Sequence, residues 1–228
     1  MSTLTSDDLG AILLSLRVAA TATVVGLPIA LLVAWLLARR RFPGRGLLDA
    51  ATHLPLVLPP VATGYGLLLL FGAESPAGRI LDRLGAPLAF RWTGAAVAAM
   101  IMAFPLMVRP IRLSIEAIDV EVEEAARILG AGPLVRFWKI TAPLASPGVA
   151  AGAVLGFAKA LGEFGATITF VGAIVGQTLT LPTDIYQATQ TPGGETRSLV
   201  LCGIAAAIAI AAVLAADAVQ RRLEARRR

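Results

Sequence analysis

Five long apolar stretches decide what this chain can fold into. They cover residues 9–38, 51–72, 92–113, 146–171 and 198–217. As a helix, each is long enough to cross the hydrocarbon interior of a bilayer, which is about 30 Å thick. Of the 228 residues, 57% are hydrophobic and 15% are charged, which is more apolar material than one water-soluble core can bury. We therefore predict a single all-α integral membrane domain, residues 1–228, with five transmembrane helices.

Helices are the predicted form of these stretches because a backbone in lipid must satisfy its own hydrogen bonds. A closed β-barrel would also do so, but the stretches lack the alternation of apolar and polar residues that barrel strands show. The first stretch differs from a cleaved signal peptide, since it is too long, has no basic residue before Arg17 and follows Asp7 and Asp8. We expect it to be retained as a helix.

The basic residues predict the orientation of the chain, because Lys and Arg collect on the cytoplasmic side. Most of them lie in segments 39–50, 109–143 and 217–228, and few lie in segments 73–91 and 172–197. This pattern predicts an N-terminus outside, a C-terminus in the cytoplasm and a cytoplasmic loop at residues 114–145. The net charge of +5 reflects anchoring to membrane lipid, since no basic segment has the interleaved aromatic residues of a nucleic-acid groove.

The sequence offers little for catalysis or for metal binding. Cys202 is the only cysteine and His53 the only histidine, so neither a disulfide nor a metal site is expected. The phosphate loop of ATPases, Gly-x-x-x-x-Gly-Lys-Ser/Thr, is absent from the sequence. We therefore expect no catalytic residue in this chain, which is not an enzyme by itself. The energy for any transport must come from a partner or from an ion gradient.

A polar segment at residues 116–130 separates two apolar stretches. Its apolar residues recur at helical spacing with five acids opposite them, which predicts one short amphipathic helix. Gly130 is placed to end that helix, and Pro133 to begin a second one that presents Leu134, Phe137 and Trp138. Such a knob suits a groove on a partner protein. A helix lying on the membrane is the alternative, but the acids oppose it because the cytoplasmic leaflet is negative.

Residues 124–143, EAARILGAGPLVRFWKITAP, resemble the cytoplasmic loop of ABC importer permeases. The family pattern is Glu-Ala-Ala, three residues, Gly, nine residues and then Ile-x-Leu-Pro, and this chain has Ala142 in place of the Leu. The resemblance implies that the loop docks on a cytoplasmic ATPase. The residues expected to couple to that ATPase are Glu124, Ala125, Ala126, Gly130, Pro133, Ile140 and Pro143.

Four further segments resemble the molybdate permeases of ABC importers. They are LPLVLPPVATGYGLL (54–68), FPLMVRPIRLSIE (104–116), ALGEFGATITFVG (160–172) and TLPTDIYQATQTPGGE (180–195). The resemblance implies a type I ABC importer permease of the bacterial inner membrane, which imports molybdate as a homodimer. The implied partners are two copies of an ATPase, which bind ATP and Mg, and a periplasmic or extracellular molybdate-binding protein. This chain would bind no cofactor itself, and tungstate, sulfate or thiosulfate is the alternative substrate.

The fourth stretch carries ionisable residues at membrane depth. At about 100° per residue, Lys159, Glu163 and Thr167 fall on one face together with three glycines. Such a face packs on protein or lines a watery pathway. Arg17 in the first stretch has a depth similar to that of Glu163, so we predict an ion pair between them. Lys159 is then free to pair with Glu163 or to attract an anion, and both the helix-pairing and the pathway role stay open.

Pro59, Pro60 and Gly64 are expected to break the second stretch near its middle, as a hinge, a gate or a static kink. Two functions of other classes remain as alternatives. In a proton-coupled secondary transporter, Lys159 and Glu163 would relay protons, although the five stretches show no internal repeat. A membrane scaffold is the other, but it would not need a glycine-hinged cytoplasmic knob.

Overall fold

The computed structural model describes the backbone of residues 4–225 and the side chains of residues 4–215, and every regular element in this part of the chain is helical. The helices are α1 (Ser6–Arg39), α2 (Arg45–Val57), α3 (Pro60–Phe71), α4 (Pro76–Arg83), α5 (Trp92–Glu116), α6 (Val120–Ile128), α7 (Pro133–Arg136), α8 (Ala142–Leu144), α9 (Ser146–Leu161), α10 (Gly165–Val171), α11 (Leu181–Gln190) and α12 (Glu195–Ala225). A π-helical turn, Phe137–Thr141, joins α7 to α8. The side chains of the basic segment at residues 217–228 lie outside the part of the chain that the structure describes.

Helices α1, α5 and α9 pack on one another and form the centre of the molecule. Many of their buried side chains are alanines, which let helix backbones approach closely. Along α9, Gly148, Gly152 and Gly156 face α5, and a Cβ at Gly152 would lie 2.8 Å from the carbonyl oxygen of Met107. The glycines on the face predicted for the fourth stretch therefore form a packing surface against α5.

The second apolar stretch is bent sharply. Helix α2 ends at Val57, α3 begins at Pro60, and their axes differ by 116°. Proline fits the first position of a helix because its missing N–H is not needed there. The break therefore lies at Pro59, as the prolines predict. Gly64, also expected at the break, lies instead inside α3, where it allows close contact with another helix.

The fourth apolar stretch is also divided, although its pattern suggests a single helix over residues 146–171. Helix α9 ends at Leu161, residues 162–164 are not helical, and α10 begins at Gly165. On the other side of α9, residues 133–144 meet it at an angle of 68°. The chain thus turns sharply where the polar segment enters the apolar part of the protein.

Among the described residues, three helices are long and apolar enough to cross a membrane: Ser6–Arg39, Trp92–Glu116 and Glu195–Ala215. Two bent pairs pass the same test when each pair is taken as one span, namely Arg45–Val57 with Pro60–Phe71 and Pro133–Leu144 with Ser146–Leu161. Five spans result if each bent pair crosses the bilayer as one span, although the second pair covers residues 133–161 and the predicted fourth span covers residues 146–171. The number of spans therefore stays a prediction.

Candidate translocation and coupling sites

The break between α9 and α10 holds a buried carboxylate. The side chain of Glu163 is 1% exposed, and its Oε2 lies 2.6 Å from the Nζ of Lys159, one turn earlier in the chain. Its Oε1 accepts a hydrogen bond of 3.0 Å from the backbone N–H of Ala166. The carboxylate thus satisfies a backbone donor that the start of α10 would leave unpaired. Because the side chain of Lys159 is 31% exposed, this residue links the buried carboxylate to the outside of the chain.

The ion pair predicted between Arg17 and Glu163 does not form. Helices α1 and α9 are neighbours, as the prediction required. However, Lys159 lies four residues from Glu163 on the same side of the chain and takes the place beside it. The guanidinium carbon of Arg17 instead lies 3.8 Å from the centre of the Trp92 ring, in a cation–π contact.

Helix α3 lies directly against α10. A Cβ at Gly64 would lie 2.5 Å from the carbonyl oxygen of Ala166, and a Cβ at Gly165 would lie 2.7 Å from the Cβ of Pro60. Thr167 is buried within α10. The bend of the second stretch and the break of the fourth therefore adjoin, which brings the predicted hinge residues next to the predicted pathway residues.

The predicted coupling segment forms two short helices around a glycine turn. Asp119 caps α6 by accepting a hydrogen bond of 2.9 Å from the backbone N–H of Glu121. Gly130 follows the helix with a φ of 84°, a conformation that costs glycine no steric strain. Pro133 begins α7 as predicted. The amphipathic helix predicted over residues 116–130 is shorter than expected, because α5 continues to residue 116 and a turn separates it from α6.

The tip of this segment is apolar and exposed. Leu129 is 87% exposed, Leu134 75% and Trp138 64%. Phe137 is not part of the tip, contrary to the prediction, because its ring packs 5.6 Å from the ring of Trp35 in α1. The residues predicted to couple to an ATPase are exposed or half-buried: Glu124, Ala125, Ala126, Gly130, Pro133, Ile140 and Pro143.

Glu123 attaches the coupling segment to the rest of the chain, a role that the sequence analysis missed. Its Oε1 accepts hydrogen bonds from the Nε of Arg39, at 3.3 Å, and from the hydroxyl of Thr141, at 2.8 Å. Arg39 also donates to the carbonyl oxygen of Ile118 at 2.8 Å. These contacts join the end of α1, the start of α6 and the π-helical turn.

A second missed cluster joins α1, α11 and α12. Arg197 donates to Asp8 through Nε at 2.9 Å and to Asp184 through Nη2 at 2.7 Å. Both carboxylate side chains are 1% exposed. Burial raises the pKa of Asp184 to about 6, against the opposing effect of Arg197 and with the help of Asp8 and Asp7. The predicted orientation places all these residues at the outer side of the membrane. This shared location is the one signal in the sequence that they could meet.

Comparisons with known proteins agree with this architecture. Residues 26–228 match the family of binding-protein-dependent transport system inner membrane components. The molybdenum transport system permease protein ModB of Escherichia coli K12 is 51% identical over 215 residues, 94% of each chain. ModB of Haemophilus influenzae is 47% identical over 218 residues, 95% of each chain. The fold is also that of a bacterial alginate ABC transporter solved in complex with an alginate pentasaccharide-bound periplasmic protein, with a TM-score of 0.77 at 17% identity, covering 96% of this chain and 80% of that one.

These matches extend over nearly the whole chain and include both the polar two-helix segment and the divided fourth stretch. The all-helical arrangement is the type I ABC importer permease fold. On this sequence identity and this fold, the chain belongs to the ModB family of molybdate ABC importer permeases.

Proposed function

We propose that the chain is the transmembrane subunit of an ATP-driven molybdate importer. The observation that carries the proposal is its 51% identity to Escherichia coli ModB along 94% of both chains. Two copies form the pathway as a homodimer, each engages one cytoplasmic ATPase, and a binding protein delivers the anion from outside. ATP and Mg are bound by the ATPase subunits, and this chain performs no catalysis itself.

The exposed tip of residues 124–143 is the surface proposed to engage the ATPase. Its apolar residues have no cover within the described chain, and its base is attached to α1 through Glu123 and Arg39. Because residues 133–144 continue directly into α9 after a bend of 68°, a push on the tip is transmitted to α9 and the Lys159–Glu163 pair. A glycine turn at the tip and an ion pair at the base suit a segment that moves as a unit.

The proposed pathway lies where α3 meets the break between α9 and α10. Lys159 supplies a partly exposed cation for a dianion, while Glu163 offsets part of its charge, so that the anion is attracted without being trapped. Pro59, Pro60 and Gly64 provide the proposed gate or hinge, and Thr167 lies in the helix they contact. Arg17 takes no part in this pathway, since it is held at Trp92.

The substrate is tested by ATP hydrolysis in the reconstituted complex of permease, ATPase and binding protein. We expect molybdate-loaded binding protein to stimulate hydrolysis, with tungstate acting similarly because it has the same shape and charge. Stimulation by sulfate or thiosulfate but not by molybdate would assign the protein to the alternative substrate. Anion uptake driven by a proton gradient, without the ATPase, would instead show a secondary transporter.

The docking surface is tested by comparing Glu124→Ala with Glu121→Ala. Both acids are exposed on α6, but only Glu124 belongs to the predicted coupling set. We expect Glu124→Ala to reduce co-purification of the ATPase about tenfold or more, as for a residue at the centre of an interface, and Glu121→Ala to leave it unchanged. Equal retention of the ATPase by both variants would place the docking surface elsewhere.

A further inference from the structure

A furrow runs along the outside of α1 and α5. Three adjoining cavities form it, with Trp92 shared between the first and the second and Met100 shared between the second and the third. The third reaches Phe104. Since Trp92 and Phe104 are twelve residues apart on one helix, the lower two cavities extend about 18 Å along the axis. This length is that of an extended acyl chain.

The furrow changes character along its length. Below Trp92 it is lined by apolar side chains, including Val25, Val97 and Met100. Above Trp92 it opens into a cavity of about 290 Å³ that is lined by Arg17, Gln177 and Asp7 among others. A polar mouth above an apolar channel matches an amphiphile with one charged end.

Arg17 is the cation at this mouth. Its guanidinium carbon lies over the Trp92 ring, 3.8 Å from the ring centre. Within the described part of the chain it makes no hydrogen bond and no ion pair, so its five N–H donors have no protein acceptor. A guanidinium that stacks on an aromatic ring and keeps its donors free is suited to bind a phosphate.

The depth of Arg17 agrees with a phosphate. Arg17 and Arg39 are 22 residues apart on α1, which is about 33 Å and close to the thickness of the hydrocarbon interior. With Arg39 at the cytoplasmic boundary, Arg17 lies at the outer boundary, where lipid phosphates begin. Trp92 is an aromatic residue of the type found at that level.

We propose that the furrow binds one phospholipid of the outer leaflet, a zwitterionic lipid with an ethanolamine headgroup. The phosphate lies on Arg17, an acyl chain follows the furrow past Met100, and the ammonium group faces the carboxylate of Asp7. A phosphatidylglycerol headgroup carries the same phosphate but ends in a neutral glycerol, which offers Asp7 no cation, and this is the reason to choose a zwitterionic lipid. The depth of Arg17 in the bilayer depends on the proposed orientation of the chain, whereas the furrow and the free guanidinium do not.

Native mass spectrometry of the intact permease–ATPase complex tests the proposal, with phosphatidylethanolamine or phosphatidylglycerol added at equal concentration. We expect one phosphatidylethanolamine retained per permease chain and little phosphatidylglycerol. Arg17→Ala removes the phosphate contact and Val97→Phe fills the channel, and each should lower the retention about tenfold. Arg79→Ala, which removes an exposed cation on α4, is the matched control and should leave it unchanged.

Equal retention by Arg17→Ala and the parent chain would overturn the site, as would equal retention of the two lipids. A parent complex that retains neither lipid would also overturn the proposal. Thermal unfolding of each variant separates loss of the site from loss of the fold, and molybdate-stimulated ATP hydrolysis, measured separately, tests the transport function.

Discussion

At the scale of single residues, the two buried ionic sites differ in how their charge is balanced. Glu163 is enclosed and has one cation beside it, and that cation is partly exposed. Asp8 and Asp184 are both enclosed and share Arg197. In both places the carboxylate depends on its partner for compensation, because an unpaired buried charge is costly. The consequence of removing a group therefore depends on which member of the pair is left behind.

The first prediction compares Lys159→Met with Glu163→Gln. Lys159→Met leaves an enclosed carboxylate without a cation and should lower stability by roughly 3 kcal/mol. Glu163→Gln leaves Lys159, which can turn to water or headgroups, and should cost about 1 kcal/mol. Thermal unfolding of the purified protein measures both, with Lys139→Met, an exposed lysine, as the control. A larger loss for Glu163→Gln would contradict this account of the pair.

The second prediction concerns pH and Asp184. The pKa of Asp184 is raised to about 6 in the fold, so the fold binds its proton more tightly than the unfolded chain does. Stability from this group is present at low pH and is lost as the pH rises through about 6. We expect the free energy of unfolding to fall by about 1–2 kcal/mol between pH 5 and pH 7, and the unfolding temperature to fall with it. Asp184→Asn should remove this pH-dependent loss of stability. An unchanged pH profile in Asp184→Asn would exclude Asp184 as its source.

At the scale of helices, glycines decide which helices touch. Gly64 in α3 meets the backbone of α10, whereas Gly66, two residues later, has open space around it. Both residues lie in the same helix and belong to the same apolar stretch. The two positions therefore separate the effect of helix propensity from the effect of close packing.

The third prediction follows from this pair of glycines. Gly64→Ala places a Cβ 2.5 Å from a backbone oxygen, so α3 and α10 must move apart, and we expect a loss of about 2 kcal/mol and reduced transport. Gly66→Ala has room and should be neutral or slightly stabilising, by up to about 1 kcal/mol. Unfolding temperatures and molybdate-stimulated ATP hydrolysis check both variants. Similar behaviour of the two would mean that the α3–α10 contact is not needed.

At the scale of the whole molecule, α1 is held at both ends. Its first turns meet Arg197, and Ser15 accepts a hydrogen bond from the backbone N–H of Leu181 at 2.6 Å. Its last turn holds Glu123 of the coupling segment. The coupling segment therefore contacts a helix whose other end is fixed on the opposite side of the protein.

The fourth prediction tests this arrangement across the membrane. In a Cys202→Ala background, Thr191→Cys lies in the proposed outer loop and Leu129→Cys at the cytoplasmic tip, and both positions are exposed. A membrane-impermeant maleimide should label Thr191→Cys in intact cells and label Leu129→Cys only after permeabilisation. The reverse pattern would invert the proposed orientation.

Local chemistry explains which parts of this architecture could be predicted from the sequence. Gly130 and Pro133 act within one turn of their own helices, and the bend at Pro59 follows from proline itself, so all three are visible in the sequence. The contacts of Glu123 and of Arg197 join residues that are far apart in the chain, and no spacing rule reveals them. The break at residues 162–164 is not visible in the sequence because the apolar pattern continues through it. Lys159 and Glu163, which form the ion pair at the break, are one helical turn apart and so also fit an unbroken helix.

The sharp bend between α2 and α3 also bears on how the chain enters the membrane during synthesis. Neither helix alone reaches across the hydrocarbon interior, and α3 packs mainly on α10. Synthesis of the intervening residues takes roughly 5 to 20 s at the usual rate of translation. During that interval α3 lacks its main partner, so we expect it to wait at the insertion machinery or at the bilayer surface. Substitutions that weaken the α3–α10 contact are therefore expected to reduce the amount of protein that reaches the membrane as well as its activity there.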